Sequence, residues 1–203
     1  MNENFKLGRT LLIITAIAGI ILGFANSLTK DAILENSKIN KDDLKAILAQ
    51  AESIRDIEFT ETETVKKVYE AVNGSEVVGH VLKVTTKGFH GPVDFVIAIS
   101  ADDKVSGIKV LSHSETPGLG AKIEEEKFIT RFSGKDIAED LVAVKVTPNN
   151  ENEVEAISGA TTSSKASVRA VNDAIRFYKE NIKGEEVEEK EETDIDTGAT
   201  TAS

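Results

Sequence analysis

The stretch "VDFVIAIS", Val93 to Ser100, alternates Val93, Phe95, Ile97 and Ile99 with residues that face the opposite side. A period of two places the four large apolar side chains on one face of a β-strand. Working outward, the same period recurs. Upstream, "VKKVYEAV" (65–72) and "EVVGHVLKV" (76–84) flank Asn73-Gly74, a strong signal for a tight hairpin turn. Downstream, Asp102-Asp103 marks a turn before "VSGIKVLS" (105–112). Farther on, Val142, Val144 and Val146 alternate with Ala143 and Lys145. These runs predict an antiparallel sheet of at least five strands.

Two stretches depart from that period. "AKIEEEKFITRF" (Ala121–Phe132) predicts a short helix. "SSKASVRAVNDAIRFYKENI" (Ser163–Ile182) predicts a long one, because Val168, Val171, Ile175, Tyr178 and Ile182 step by 3, 4, 3 and 4. That spacing gives one apolar helical face, which lies on the sheet. Strands with helices beside them make an α+β domain, roughly Asp56–Lys183.

The flanks are of a different kind. "TLLIITAIAGIILGFANSL" (Thr10–Leu28) is nineteen residues without a charge. A helix of that length crosses a hydrocarbon core of about 30 Å. Lys6 and Arg9 precede it and favour an N-terminus kept in the cytoplasm, with the rest of the chain outside. The alternative is a cleaved signal peptide, with Ala25 and Ser27 as its small residues. Residues 1–30 therefore read as a cytoplasmic N-terminus and transmembrane anchor. Residues 31–55 read as a plain amphipathic helical stalk, with Leu44, Ile47, Leu48 and Ala51 at helical spacing and Asn40 as an N-cap. Residues 184–203 hold six Glu, two Asp and one Lys, which is −7 of the net −11. That composition reads as a disordered acidic tail. A chain with this charge repels nucleic acid. It has no Cys, so disulfides, thiol catalysis and iron–sulfur ligation by this chain are excluded.

Two loops carry candidate chemistry. "EAISGATTSS" (Glu155–Ser164) crowds hydroxyls around Gly159-Ala160 just before the long helix. Thr162, Ser163 or Ser164 can cap that helix, which by itself accounts for such a cluster. The functional alternative is a phosphate seated at the helix N-terminus, where unpaired N–H groups and a partial positive charge suit an anion. The second loop, "SHSETPGLGAKIEEEKF" (Ser112–Phe128), holds Glu115, Thr116, Pro117, Gly118, Leu119 and Gly120. Pro-Gly-x-Gly leaves little side chain in the way of a flat ligand. A plain strand-to-helix connection reads equally from this loop alone. Lys87 to Gly91 forms a further turn, and His113 adjoins the Glu-Thr-Pro run.

"HSETPGLG" followed by "ISGATTSS", behind an N-terminal anchor, resembles the FMN-binding domain of the G subunit of Rnf complexes. The C subunit of the sodium-translocating NADH:quinone reductase shares both motifs, and the chain length favours the Rnf protein. The resemblance implies FMN joined through its phosphate to a threonine, placed there by a flavin transferase that uses FAD and Mg²⁺. In this sequence the acceptor is Thr161. Ser158, Gly159, Ala160 and Thr162 shape its presentation, and Glu115, Thr116, Gly118, Leu119 and Gly120 lie against the flavin. Glu155 stands where the family's motif usually begins with Asp. The resemblance also implies other membrane subunits as partners in a complex that couples ferredoxin:NAD electron transfer to ion movement. Two other readings remain: a stand-alone extracellular flavoprotein, and a non-redox anchored scaffold whose hydroxyls only cap a helix. The tail repeats the motif as "DIDTGAT" (Asp194–Thr200), with Thr200 in the acceptor's place.

Overall fold

A computed structural model describes residues 3–36 and 39–187. The tail copy of the motif, with Thr200, lies outside the described residues. Helix α1 (Glu3–Asn36) contains the uncharged run, and its Leu, Ile and Phe side chains from Phe5 to Leu28 are exposed. Helix α2 (Lys41–Ile47) starts at the predicted cap: Asn40 Oδ1 accepts from the Asp43 N–H at 2.7 Å. Asp42 and Asp43 in its first turn suit the positive end of the helix.

Six strands follow as one antiparallel sheet in chain order among the described residues. They are β1 (Ser53–Asp56), β2 (Val65–Asn73), β3 (Glu76–Lys87), β4 (Pro92–Ser100), β5 (Lys104–Ser112) and β6 (Lys135–Asp136). The β2–β3 hairpin turns at Gly74, whose φ of +61° is one that side chains rarely tolerate. In the register, Ile97 of β4 lies between Leu82 of β3 and Ile108 of β5.

The alternation in "VDFVIAIS" has its expected result. Val93, Phe95, Ile97 and Ile99 are fully buried in one core with Val168, Val171, Ile175 and Tyr178. The last four belong to α4 (Thr161–Phe177) and to the π-helical turn Tyr178–Lys183 that prolongs it. Gly184, at φ +69°, ends the helix in the left-handed conformation. Burying a side chain such as Phe95 contributes about 1.5–3 kcal/mol.

The intervening residues of β4 are buried too. Val96 and Ala98 form a second core with Ala71, Val81 and the Leu44, Ile47, Leu48 and Ala51 face. The apolar face of the segment read as a plain amphipathic stalk thus packs on the back of the sheet. Gly107 permits the approach, because a Cβ there would stand 2.8 Å from the Ile47 backbone. The Lys109 ammonium also bonds the Asp43 carboxylate across this contact.

Two further expectations are corrected. Val142 to Val146 does not join the main sheet. β7 (Val142–Val144) pairs in parallel with β8 (Glu153–Glu155), and Val146 is exposed. The helix expected over Ala121–Phe132 is a chain of short turns: a 3₁₀ turn at Gly120–Glu124, α3 at Glu126–Ile129 and a 3₁₀ turn at Thr130–Phe132. Ile123, Phe128 and Phe132 are buried, so the segment is held by its core contacts rather than by helical repetition.

Candidate functional site

The β3–β4 loop (88–91) and the segment after β5 (113–119) leave the sheet at the same end, because Lys87 pairs with Pro92 and Asp94 with Ser112. The start of α4 is brought to that end by two bonds. Thr86 Oγ1 donates to the Ala166 carbonyl at 3.1 Å, and the Arg169 guanidinium donates to the Lys87 carbonyl at 2.7 Å.

Glu115 ties the three pieces together. It is 5% exposed. Its Oε1 accepts from the N–H groups of Phe89 (2.7 Å) and His90 (3.1 Å), and its Oε2 accepts from Ser163 Oγ at 2.5 Å. Two glycines make room for the carboxylate: a Cβ at Gly88 would stand 2.3 Å from Oε1, and one at Gly120 would stand 2.6 Å from Oε2. Burial pushes this carboxyl up. The Ser163 hydroxyl and the His90 and Phe89 N–H groups outweigh burial and hold it below the usual glutamate range. The resemblance implies that the Glu115–Gly120 loop lies against the flavin; within that loop the Glu115 carboxylate itself is engaged by the protein. Thr116, half-buried, approaches His90 Nδ1 at 3.2 Å through Oγ1, and its carbonyl accepts from the Leu119 and Ala121 N–H groups.

The hydroxyl cluster divides by burial. Ser163 and Ser164 are buried and committed inward. Ser164 Oγ accepts from the Ile157 N–H at 2.9 Å and donates to the Ala160 carbonyl at 3.0 Å. Ser158, Gly159 and Thr162 are exposed, and Thr161 is half-buried. Helix α4 opens at Thr161, its N-cap residue is Ala160, and no side chain caps it. The expected Thr162, Ser163 or Ser164 cap is therefore absent. The first-turn N–H groups of a helix lack intrahelical acceptors. Here they lie beside exposed hydroxyls, an arrangement suited to an anion.

The two loops abut. Gly159 takes φ +78°, and a Cβ added there would stand 3.4 Å from Leu119 Cδ2. Leu119 is 47% exposed and Phe89 65% exposed. Phe89 also packs edge-on against His90 with ring centroids 4.7 Å apart. Sequence reasoning noted the 87–91 turn but not its part in holding Glu115. A glycine followed by an aromatic residue in a hairpin loop was the available signal. No sequence signal identified Ser163 as a partner of Glu115.

Residues 88–176 match the FMN-binding domain family. That span holds both loops and nearly all of α4. The G subunit of the Na⁺-translocating ferredoxin:NAD⁺ oxidoreductase complex of Acetobacterium woodii is 35% identical, over 86% of this chain and 91% of that one. The G subunit of the ion-translocating oxidoreductase complex of Methanosarcina acetivorans is 32% identical, over 87% of this chain and 95% of that one. This chain belongs to the G-subunit family of ion-translocating oxidoreductase complexes.

The family's fold fits an FMN at this end of the sheet. An uncapped helix start offers donors for a phosphate, Gly118 and Gly159 expose backbone, and Leu119 and Phe89 offer apolar surface for a flat ring. With family membership and the apolar run from Phe5 to Leu28, the chain is a membrane-anchored member of that family.

Proposed function

We propose that this chain is the electron-carrying subunit of an Rnf-type complex, holding FMN as a phosphoester on Thr161. The observation that carries the reading is the uncapped start of α4 at Thr161, beside the exposed Ser158, Gly159 and Thr162. At the first position of α4, the Thr161 hydroxyl lies next to the helix N–H groups that lack intrahelical acceptors and suit a phosphate. A flavin transferase joins the Thr161 oxygen to the flavin-bearing phosphorus of FAD. The pyrophosphate bond breaks, AMP leaves and the hydroxyl proton goes to water.

The bound flavin accepts and passes on electrons. The chain's own residues position it. Thr161 fixes the phosphate end, and the α4 N-terminus offsets its negative charge. Leu119 and Phe89 supply apolar surface, with Thr116, Gly118 and Gly120 completing the loop beneath. Glu115 acts at one remove, by holding the 88–90 loop and Ser163 in register. Ala160, buried at the cap position, sets the turn that presents Thr161. Glu155 takes the place of the motif's acidic residue. By charge, Lys6 and Arg9 keep the N-terminus in the cytoplasm and the flavin domain outside. Other membrane subunits of the complex are its partners. Relatives named for ferredoxin:NAD⁺ oxidoreduction and for Na⁺ or proton translocation support this role.

Tryptic mapping of the full chain co-produced with a flavin transferase tests this. The Val146–Lys165 peptide carries one FMN in the wild type and in Thr161→Ser, and none in Thr161→Val. Flavin on that peptide in Thr161→Val, or none in the wild type, overturns the assignment.

A further inference from the structure

The front of the sheet is covered by α4, and the back only in part by α2. What α2 leaves open carries charge of one sign. Lys67 of β2 stands directly opposite Lys83 of β3, Lys83 opposite Val96 of β4, and Val96 opposite Lys109 of β5. Val96 lies on the back, so the three lysines of its row do too. Lys109 is paired with the Asp43 carboxylate of α2. Lys67, exposed, and Lys83, half-buried, form no ion pair among the described residues. The next row toward the 88–91 loop sets Thr85 opposite Asp94 and Asp94 opposite Ser112. Its carboxylate is taken up by hydroxyls, since Thr85 Oγ1 and Ser112 Oγ each donate to Asp94 at 2.7 Å. Lys87, exposed and opposite Pro92, ends the same face.

Like charges directly opposite each other across two strands repel and weaken the pairing. A face that has only to stay wet mixes the two signs. Acids are not scarce in a chain of net charge −11, yet none is set against Lys67 or Lys83 in their row. Such a face suits an anionic surface, and the anchor identifies it. The apolar run ends at Leu28, α1 ends at Asn36, and α2, which lies on this same back face, starts at Lys41. The helical stretch from Leu28 to Asn36 and a fully extended link to Lys41 reach about 30 Å at most. The tether therefore holds the back of the sheet close to the bilayer, at high effective concentration. We propose that the back face docks on the phosphates of lipid headgroups through Lys67, Lys83 and Lys87, beside α2. The headgroup layer is about 5–8 Å deep. Long lysine side chains reach into it past the step that α2 makes. Docking lays the sheet on the membrane with α4 outward and limits the swing of the domain about its anchor. The inference rests on the anchor and the strand register and does not depend on a flavin at Thr161.

The test is lysine acylation of the full chain in nanodiscs of phosphatidylcholine, alone or mixed with phosphatidylglycerol, with an uncharged reagent and mass-spectrometric mapping. In the anionic discs Lys67, Lys83 and Lys87 are expected to react several-fold more slowly than in the neutral ones, and about 0.5 M NaCl should restore their rates. Lys127, exposed on α3, whose Phe128 packs in the front core, should react alike in both. Equal rates for the three lysines in the two discs overturn the proposal. Slow reaction in both discs shows that the chain itself covers them, which overturns it as well. Protection that arises only when other membrane subunits are added gives the face to a protein partner and overturns the lipid assignment. A Lys67→Gln/Lys83→Gln variant removes a repelling pair, so its denaturant midpoint is expected to equal or exceed that of the wild type. Lys87 should then react in anionic discs as fast as in neutral ones. Protection of Lys87 that survives in this variant overturns the part given to the lysine row.

Discussion

The two faces of strand β4 do different work. Its front face, Val93, Phe95, Ile97 and Ile99, packs under α4, whose first turn carries the hydroxyl cluster. Its back face, Val96 and Ala98, packs under the seven-residue α2, which follows the anchor in the chain. The front core is broad and reaches from β2 to the π-helical turn. The back core is smaller and depends on one short helix that cannot persist alone. The front therefore fixes the site, while the back fixes the chain's approach to the sheet.

The largest test of that division is a pair of truncations. Phe95→Ala is expected to destabilise the domain by about 3–5 kcal/mol. Leu48→Ala is expected to cost less, about 2 kcal/mol, because α2 can peel away and relax the cavity. Denaturant midpoints give the ranking, and hydrogen exchange gives the location. In Leu48→Ala, exchange should quicken in α2 while α4 stays protected. Equal loss of protection in α4 would mean that the two faces unfold as one unit and that the division is false.

Glu115 sharpens the comparison on the front face. Replacing it by Gln leaves the shape but weakens three hydrogen bonds to an anion, at a cost of about 1–3 kcal/mol near neutral pH. The folded carboxyl lies below its ordinary value, so its contribution is complete above the unfolded value of about 4.3 and declines as pH falls through the folded one. The stability gap between wild type and Glu115→Gln should therefore narrow as the medium is acidified from about pH 5. A gap unchanged down to about pH 3 would show that the carboxylate's charge does not stabilise the loop junction.

The same contrast explains what could be read from the chain. Alternation in "VDFVIAIS" and the 3-4-3-4 spacing on the long helix identified the front core, because each element shows its own buried face. The Leu44, Ile47, Leu48 and Ala51 face was equally visible, but its partner was not. Val96 and Ala98 are small and lie between larger residues, and nothing local to Gly107 reveals that a backbone approaches it. The site was legible as two motifs whose adjacency comes from the β3–β4 and β5 registers. The inward bonds of Glu115 were not legible, because a buried carboxylate's donors, two backbone N–H groups and Ser163, leave no trace in composition. The β7–β8 pair was half legible: three residues of β8 are too few for a period, and parallel pairing needs a partner distant in the chain.

The smallest expected effect tests the back face at its edge. Asn40→Ala removes the side-chain acceptor for the Asp43 N–H, at a cost of about 1 kcal/mol to α2. If α2 is a separately releasable element, the loss should appear as faster exchange of α2 amides, with no shift in the domain's denaturant midpoint beyond that cost. Flavin occupancy at Thr161 should not change, since α2 packs on the face of the sheet opposite α4. A drop in occupancy would show that the back face governs the site, and would make the helix after the anchor part of the functional unit rather than its mooring.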